Sequence, residues 1–420
     1  MFKGKLQKLI IICLFQIVSY QGFSQQINPG VVLTFDDYAV ANWHKLLPIF
    51  EKYNAKATFY ICYPHLLDSE KQQMIRDLHA ASNEIACHGF HHLNSVNFID
   101  TSSIENFLNR EILPSINWFD TVLDIQVQSF SYPYGARNLK LDTALLKYFK
   151  VLRGTDYSMN SQLNRIKSLS HTGLIFGVGI DDGYGHSLDQ IKEQLDKCKR
   201  DSFIQVFYSH TPVDIVTTDY QITYANLDSI LSYISQLGLS FYTSSEVWLP
   251  VPKTPSGDTI VITDEKPVSA FFADSSEYVY EWKLLPIDAG KLIANENEAT
   301  MEWNSEFKGE AALQVAASNR CGTGSFSTPL KIQVNTGIGI SEGDHEILNT
   351  YPNPSFGEFN IDLPKGHFDK QIAIYSLAGE LVFEDKTKLN SLYVKLNGKG
   401  MFIAKIILDN RIYVSKITIE

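Results

Sequence analysis

Two aspartates and three histidines stand where short apolar runs end. Asp36-Asp37 closes the run Val31–Phe35, His88 follows Glu84–Cys87 with His92 four residues on, and His210 follows Phe203–Tyr208. Imidazoles at i and i+4 share one face of a helical turn, a common metal-ligand geometry. His91 lies between them and would serve in a different backbone, so spacing alone leaves the ligand pair open. Two histidines and one carboxylate leave a coordination position free on zinc, as catalytic sites do and structural sites do not. Water held there ionises near neutral pH. A second carboxylate can take its proton, and a histidine across the site can protonate a leaving group. Residue types alone thus describe metal-assisted hydrolysis of an acyl bond. Singly, each has a plainer reading: paired aspartates cap helices, and a histidine after a strand is usually a satisfied structural group. Their coincidence at one end of one fold argues for joint work.

That coincidence depends on the elements that carry them. From Gly30 to about Val247 short apolar runs alternate with amphipathic stretches. Strands are expected at Val31–Phe35, Ala57–Ile61, Glu84–Cys87, Ser129–Tyr132, Val151–Arg153, Leu174–Ile180, Phe203–Tyr208 and Ser240–Thr243. Helices are expected at Trp43–Tyr53, Ser69–Ala81, Ser103–Phe119, Leu188–Arg200 and Leu227–Leu237. Such alternation predicts an α/β fold, an irregular barrel of seven or eight βα units, whose loops converge at the carboxyl ends of the strands. The aspartates, the histidines and Pro133-Tyr134-Gly135 all fall at those ends. An open doubly wound sheet is the alternative, although no GxGxxG loop follows the first strand. Beyond the proline-rich segment Pro250–Pro255 the helical period disappears, and short alternating runs predict two small all-β sandwiches. The expected segments are 1–24, 25–249, a linker 250–258, 259–335, a second linker 336–348, and 349–420.

Composition bounds the partners. A 420-residue chain suggests two to four domains, and 44% hydrophobic with 20% charged residues is ordinary for globular protein. A net charge of −11 argues against nucleic acid and against anionic membrane surfaces. Lys3, Lys5 and Lys8 precede the apolar run Leu9–Val18 and then Gly22-Phe23-Ser24, the pattern of a secretory signal peptide cut after Ser24. The run is too short to span a bilayer, which needs about 20 residues, and no later stretch is long enough, so no transmembrane segment is expected after cleavage. Losing three lysines and no acid takes the net charge from −11 to −14. Cys13 leaves with the signal. Cys62, Cys87, Cys198 and Cys321 form no disulfide scaffold. Cys62 and Cys87 end neighbouring strands and could pair, but two buried thiols are expected.

Four motifs resemble, in order and spacing, those of NodB-homology polysaccharide deacetylases (carbohydrate esterase family 4). They are Leu33-Thr34-Phe35-Asp36-Asp37, Glu84 through His92, Phe130-Ser131-Tyr132-Pro133-Tyr134-Gly135 and Tyr208-Ser209-His210, within about residues 28–248. The resemblance implies Asp36 as catalytic base and a divalent metal, zinc by family, on Asp37, His88 and His92. It implies Tyr134 as backbone oxyanion donor and His210 as general acid. Two positions depart from the pattern. Ser131 stands where the family has an arginine that orients the base, and Arg153 is the candidate replacement. The aspartate that tunes the acid has no clear match; Asp156, Asp181 and Asp182 are candidates. Tyr38, Tyr63, Tyr132, Tyr184 and Tyr208 are candidate sugar platforms, or simply core positions.

Tyr280-Glu281-Trp282 through Ser318–Gly322 resembles PKD-like, immunoglobulin-type modules, expected here as a spacer with carbohydrate binding as the alternative. Tyr351-Pro352-Asn353-Pro354, Ile374–Val382, Gly400-Met401-Phe402 and Lys416 resemble the type A C-terminal sorting domain of type IX secretion. Together these resemblances imply an enzyme that removes N-acetyl groups from an amino-sugar polysaccharide after export through periplasm and outer membrane. Its partners are then the acetylated polysaccharide and the type IX machinery, and its place is the medium or the cell surface. O-acetyl removal from a xylan-like chain is the second reading. A surface adhesion protein with an impaired barrel is the third.

Overall fold

The computed structural model describes residues 27–274, 278–336, 348–365, 369–408 and 411–420. The expected signal peptide, and all but the ends of the second linker, lie outside the described residues. The strands of the first domain are β1 (Gly30–Asp37), β2 (Thr58–Ile61), β3 (Glu84–Cys87), β4 (Ser129–Ser131), β5 (Val151–Asp156), the two-residue β6 (Arg165–Ile166), β7 (Leu174–Gly179), β8 (Ile204–Ser209), β9 (Thr211–Val213), β10 (Gln221–Thr223) and β11 (Ser240–Tyr242).

Seven of these strands, β1-β2-β3-β4-β5-β7-β8, pair in parallel, and β8 pairs again with β1 to close the barrel. The closure is irregular for a visible reason. One edge of β1 is taken by β8, while the other is shared: Gly30–Val32 pair with β11 and Thr34–Asp37 with β2. β11 is therefore wedged into the foot of the β1/β2 gap. β6 pairs antiparallel with β8, and β9 with β10 form a small parallel ribbon past the end of β8. These short strands have too few residues to show an alternation in sequence.

Side-chain parity sorts the barrel into an outer shell and a lumen. Val31, Leu33, Phe35, Phe59, Ile61, Ile85, Phe130, Leu152, Val178 and Phe207 join the surrounding helices in one apolar core. The opposite parity faces inward: Val32, Val151, Ile175, Ile204 and Val206 form the apolar floor, and above them Thr34, Thr58, Ser131, Arg153 and Asp36 are buried. Gly177 in β7 leaves the room this polar column needs. A Cβ there would lie 3.1 Å from the Tyr208 ring and 3.5 Å from the Arg153 side chain.

The first sandwich has one sheet ordered Ile260–Ile262, Leu330–Asn335, Gly309–Asn319, Val279–Leu285 and a second ordered Val268–Phe272, Glu298–Trp303, Gly290–Asn295. It is not held as a spacer would be. Val315, Ala317, Cys321 and Tyr280 complete the same apolar cluster as the barrel floor. Asn28 N–H donates to Cys321 O at 2.8 Å, and Ser325 N–H to Ser170 Oγ at 2.7 Å. The Arg320 guanidinium donates to Glu246 at 2.6 and 2.8 Å. Residues up to Val261 with Lys266–Asn335 accordingly form one compact unit.

A second unit, mainly Thr336–Glu420, holds sheets of three and four strands, Thr350–Tyr351 with Glu358–Asp362 and Ser391–Lys395, and Leu381–Thr387 with Lys370–Ser376, Gly400–Leu408 and Arg411–Ile419. Phe359, Ile361, Ile372, Ile374, Val394, Ala404 and Ile417 fill the space between them. Among the described residues no helix is long and apolar enough to cross a membrane.

Candidate active site

At the carboxyl end of the barrel a cavity of about 300 Å³ is lined by Asp36, Asp37, His88, His92, Tyr134, Tyr208 and His210, among others. Asp36 points into the lumen from β1, and strand parity would send Asp37 to the opposite face. A left-handed backbone at Asp37 (φ 85°) breaks that alternation and keeps both carboxylates in the site.

Asp36 is 3% exposed. Its Oδ2 accepts from the Arg153 guanidinium and, at 3.4 Å, from Ser131 Oγ, while Arg153 also donates to Ser131 Oγ. The Arg153 guanidinium, reaching in from β5, thus lies against both Asp36 and Ser131. Asp36 Oδ1 is buried with no hydrogen-bond partner among the described residues. A carboxylate pinned by one oxygen and bare at the other is poised to accept a proton from something in the cavity.

Asp37 Oδ1 lies 3.4 Å from His88 Nε2 and 3.2 Å from His92 Nε2, and the two Nε2 atoms are 3.2 Å apart. Oxygen and nitrogen ligands at about 2.0–2.1 Å from a tetrahedral ion stand about 3.3–3.4 Å from one another, so this triangle has the size a metal requires. Protonation agrees with that fit. His88 Nδ1 is 2.8 Å from Ser131 O, and a carbonyl can only accept, so Nδ1 carries a hydrogen and Nε2 is the nitrogen that would be offered to a metal. Burial pushes the Asp37 carboxyl up, but its bonds to His88 and His92 outweigh this and hold it well below the usual carboxylate range. Cys62 Sγ lies within 4.8 Å of the Asp37 and His92 ligand atoms. Burial, with Asp37 and Asp36 nearby, raises that thiol far above its ordinary range, although a coordinated ion would still deprotonate it. Cys62 and Cys87 are both free and buried. His91 turns away, with Nδ1 2.9 Å from Glu111.

Across the cavity, His210 Nδ1 is 2.5 Å from Asp181 Oδ2, and the His210 N–H donates to Asp181 Oδ1 at 3.2 Å. Burial draws the imidazole down, but the Asp181 bond and the charges of Asp181, Asp36 and Asp37 raise it overall. Trp43 Nε1–H donates to His210 O at 2.7 Å, a support nothing in the sequence signalled. Of the three aspartates considered for this place only Asp181 reaches it. Asp156 accepts from Ser158 N–H and Asn164 instead, and Asp182 begins the next short turn.

Tyr134 has a left-handed backbone (φ 61°), which brings the chain against the cavity wall. Tyr132, Tyr184 and Tyr208 line the cavity, while Tyr38 and Tyr63 do not. Sequence reasoning passed over Tyr157 and Tyr220, which line it and are 71% and 60% exposed.

Residues 24–149 match the polysaccharide deacetylase family model, and residues 349–420 match the model of the secretion system C-terminal sorting domain. Among solved structures the chain is similar to the peptidoglycan deacetylase PdaC from Bacillus subtilis, at 15% identity, covering 52% of this chain and 90% of that one with a TM-score of 0.36. It is similar to a family 4 acetyl xylan esterase from Clostridium thermocellum at 19% identity, 52% and 89% coverage and a TM-score of 0.37. For a family 4 carbohydrate esterase from Streptomyces lividans the values are 19%, 51%, 93% and 0.34. No curated protein matches the chain.

Proposed function

We propose that this chain, which carries a polysaccharide deacetylase domain and a secretion-system sorting domain, is an exported hydrolase removing N-acetyl groups from an amino-sugar polysaccharide. One observation carries the reading. A bare carboxylate oxygen on Asp36, a metal-sized triangle on Asp37, His88 and His92, and a histidine held by the buried Asp181 converge on a single cavity.

Asp37, His88 and His92 would hold a divalent ion, zinc by ligand type, which would supply Lewis-acid polarisation of the acetyl carbonyl and a water acidified toward neutral pH. Everything else is done by the chain. Asp36 receives the proton of the attacking water at Oδ1 while Arg153 fixes Oδ2. The backbone N–H of Tyr134 faces the developing oxyanion, a contribution typically worth about 3–4 kcal/mol. Asp181 fixes Nδ1 of His210, leaving Nε2 to protonate the departing amine. An amine leaves poorly without that proton, and the raised His210 keeps it available near neutral pH. The sorting domain supports delivery by type IX secretion to the cell surface or beyond.

Acetate release from acetylated chitooligosaccharides, peptidoglycan and acetylxylan tests the proposal. Asp36→Asn and His210→Ala should retain the metal and lose at least about 100-fold in turnover, whereas His88→Ala should lose the metal. Release from acetylxylan alone would move the assignment to an esterase. Full activity after exhaustive chelation overturns the scheme.

A further inference from the structure

A buried carboxylate outside the described chemistry grips the loop that carries the metal ligands. The helical stretch after Ser103 is wound as a π-helix over Leu108–Ile112, just before Pro114, whose ring nitrogen has no hydrogen to donate to the helix ladder. That turn brings Glu111, 1% exposed, against the loop between His88 and Leu93. Its side chain accepts from the His91 N–H at 3.0 and 3.1 Å and from the Leu93 N–H at 3.4 Å. The His91 ring bonds to it at 2.9 Å. Its main-chain carbonyl accepts from the Phe90 N–H at 3.1 Å and from Ser115 Oγ at 2.9 Å.

The loop is shaped to receive it. Gly89 has φ 88°, and a Cβ there would lie 2.7 Å from Glu111 Oε2, so any side chain at 89 would displace the carboxylate. His92 itself is left-handed, with φ 55°. Non-glycine residues hold that conformation only where their surroundings over-determine it. The two ligand nitrogens stand 3.2 Å apart, within hydrogen-bonding reach of each other, so the loop already holds His92 against His88.

We infer that Glu111 is a positioning residue, presetting the His88–His92 loop so that His92 already faces Asp37 and His88 before a metal arrives. The inference rests on reading that triangle as a metal site. Glu111→Gln keeps the volume but replaces one acceptor oxygen by an N–H₂ group facing the same N–H donors. Competition of the full chain against a chelating dye for Co²⁺ and Zn²⁺ should then show affinity lowered about 10–100-fold, with circular dichroism and the metal-free melting temperature showing a folded barrel. Wild-type affinity in that variant overturns the inference. Should Glu111→Gln fail to fold, amide exchange of the metal-free wild-type chain decides. Protection of the segment 89–93 without metal supports the role, and rapid exchange there overturns it. If the wild-type chain binds no metal at all, the metal reading fails, while the exchange result still tests the hold of Glu111 on the loop.

Discussion

Arg153→Met removes the guanidinium, whose carbon lies 5.5 and 4.7 Å from the Tyr60 and Tyr208 rings, and leaves an apolar stem of similar length in its place. The partner left behind is a carboxylate 3% exposed at the end of a closed strand. Breaking a buried pair by deleting one member typically costs about 3–5 kcal/mol. A second route limits the cost, because the stranded carboxyl can take a proton. Protonating an ordinary aspartate costs about 4 kcal/mol at pH 7 and about 1.5 kcal/mol at pH 5, at 1.36 kcal/mol per pH unit. The loss should therefore be about 3–4 kcal/mol at pH 7 and shrink to about 1.5 kcal/mol at pH 5. The sign follows from linkage: the folded variant binds a proton that its unfolded chain does not, so its relative stability rises as pH falls. Urea unfolding followed through tryptophan fluorescence, with wild type and variant at both pH values, measures this directly, since Trp43 is fully buried in the barrel shell. Turnover should fall together with stability, with the acid limb of the rate profile displaced upward. Equal midpoints at pH 7, or a gap that does not narrow toward pH 5, would refute Arg153 as the cation serving Asp36.

The remaining expectations are briefer. Asp181→Asn removes the bond that most opposes the effect of burial on His210, so the imidazole should lose its proton at lower pH. The alkaline limb of kcat/KM then moves down with metal content unchanged, and an unmoved limb would exclude Asp181 from the role. At the sandwich contact, Arg320 and Lys56 overcome the burial of Glu246 and draw its carboxyl down to about 2. A depressed carboxyl stabilises the fold above its unfolded titration range and loses that contribution as pH falls toward 2. Arg320→Ala should cost about 1 kcal/mol at neutral pH, discounted for partial exposure, and should flatten the acid slope of unfolding; an unchanged slope would mean the contact does not couple the sandwich to the barrel.

What the sequence made legible follows from how the barrel is built. Each strand has one shell face and one lumen face, and strand-end residues must gather at one rim, so Asp36, Asp37, His88, His92 and His210 could be placed together before their distances were known. Asp181 and Asp156 could not be told apart, because both follow or end strands. Strand order decides between them: β7 lies beside β8, which delivers His210, whereas β5 lies one strand further away. Glu111 gave no signal at all. It sits inside a helical stretch, and only the π-turn before Pro114 aims it at the loop. The close seating of the sandwich was hidden for another reason. Nothing local in Ser318–Gly322 distinguishes a segment lying in solvent from one that meets a barrel floor.

That seating bears on how the site can exist. A small barrel is ordinarily stabilised by apolar side chains filling its lumen, yet here the upper lumen is given over to Thr34, Ser131, Arg153 and Asp36, all buried. Such a polar column contributes little net stability, because desolvation offsets most of what its bonds return. The compensating apolar burial must lie outside the shell and below the floor. The shell is covered by helices, but the floor of Val32, Val151, Ile175, Ile204 and Val206 is completed by Val315, Ala317 and Cys321 from the sandwich. At about 25 cal/mol per Å², burial of that floor is a term of several kcal/mol for each few hundred Å² covered, comparable to the whole margin by which a typical domain is stable. The sandwich is therefore part of the physical basis of the site: it supplies beneath the barrel the apolar burial that the polar column displaces from its interior.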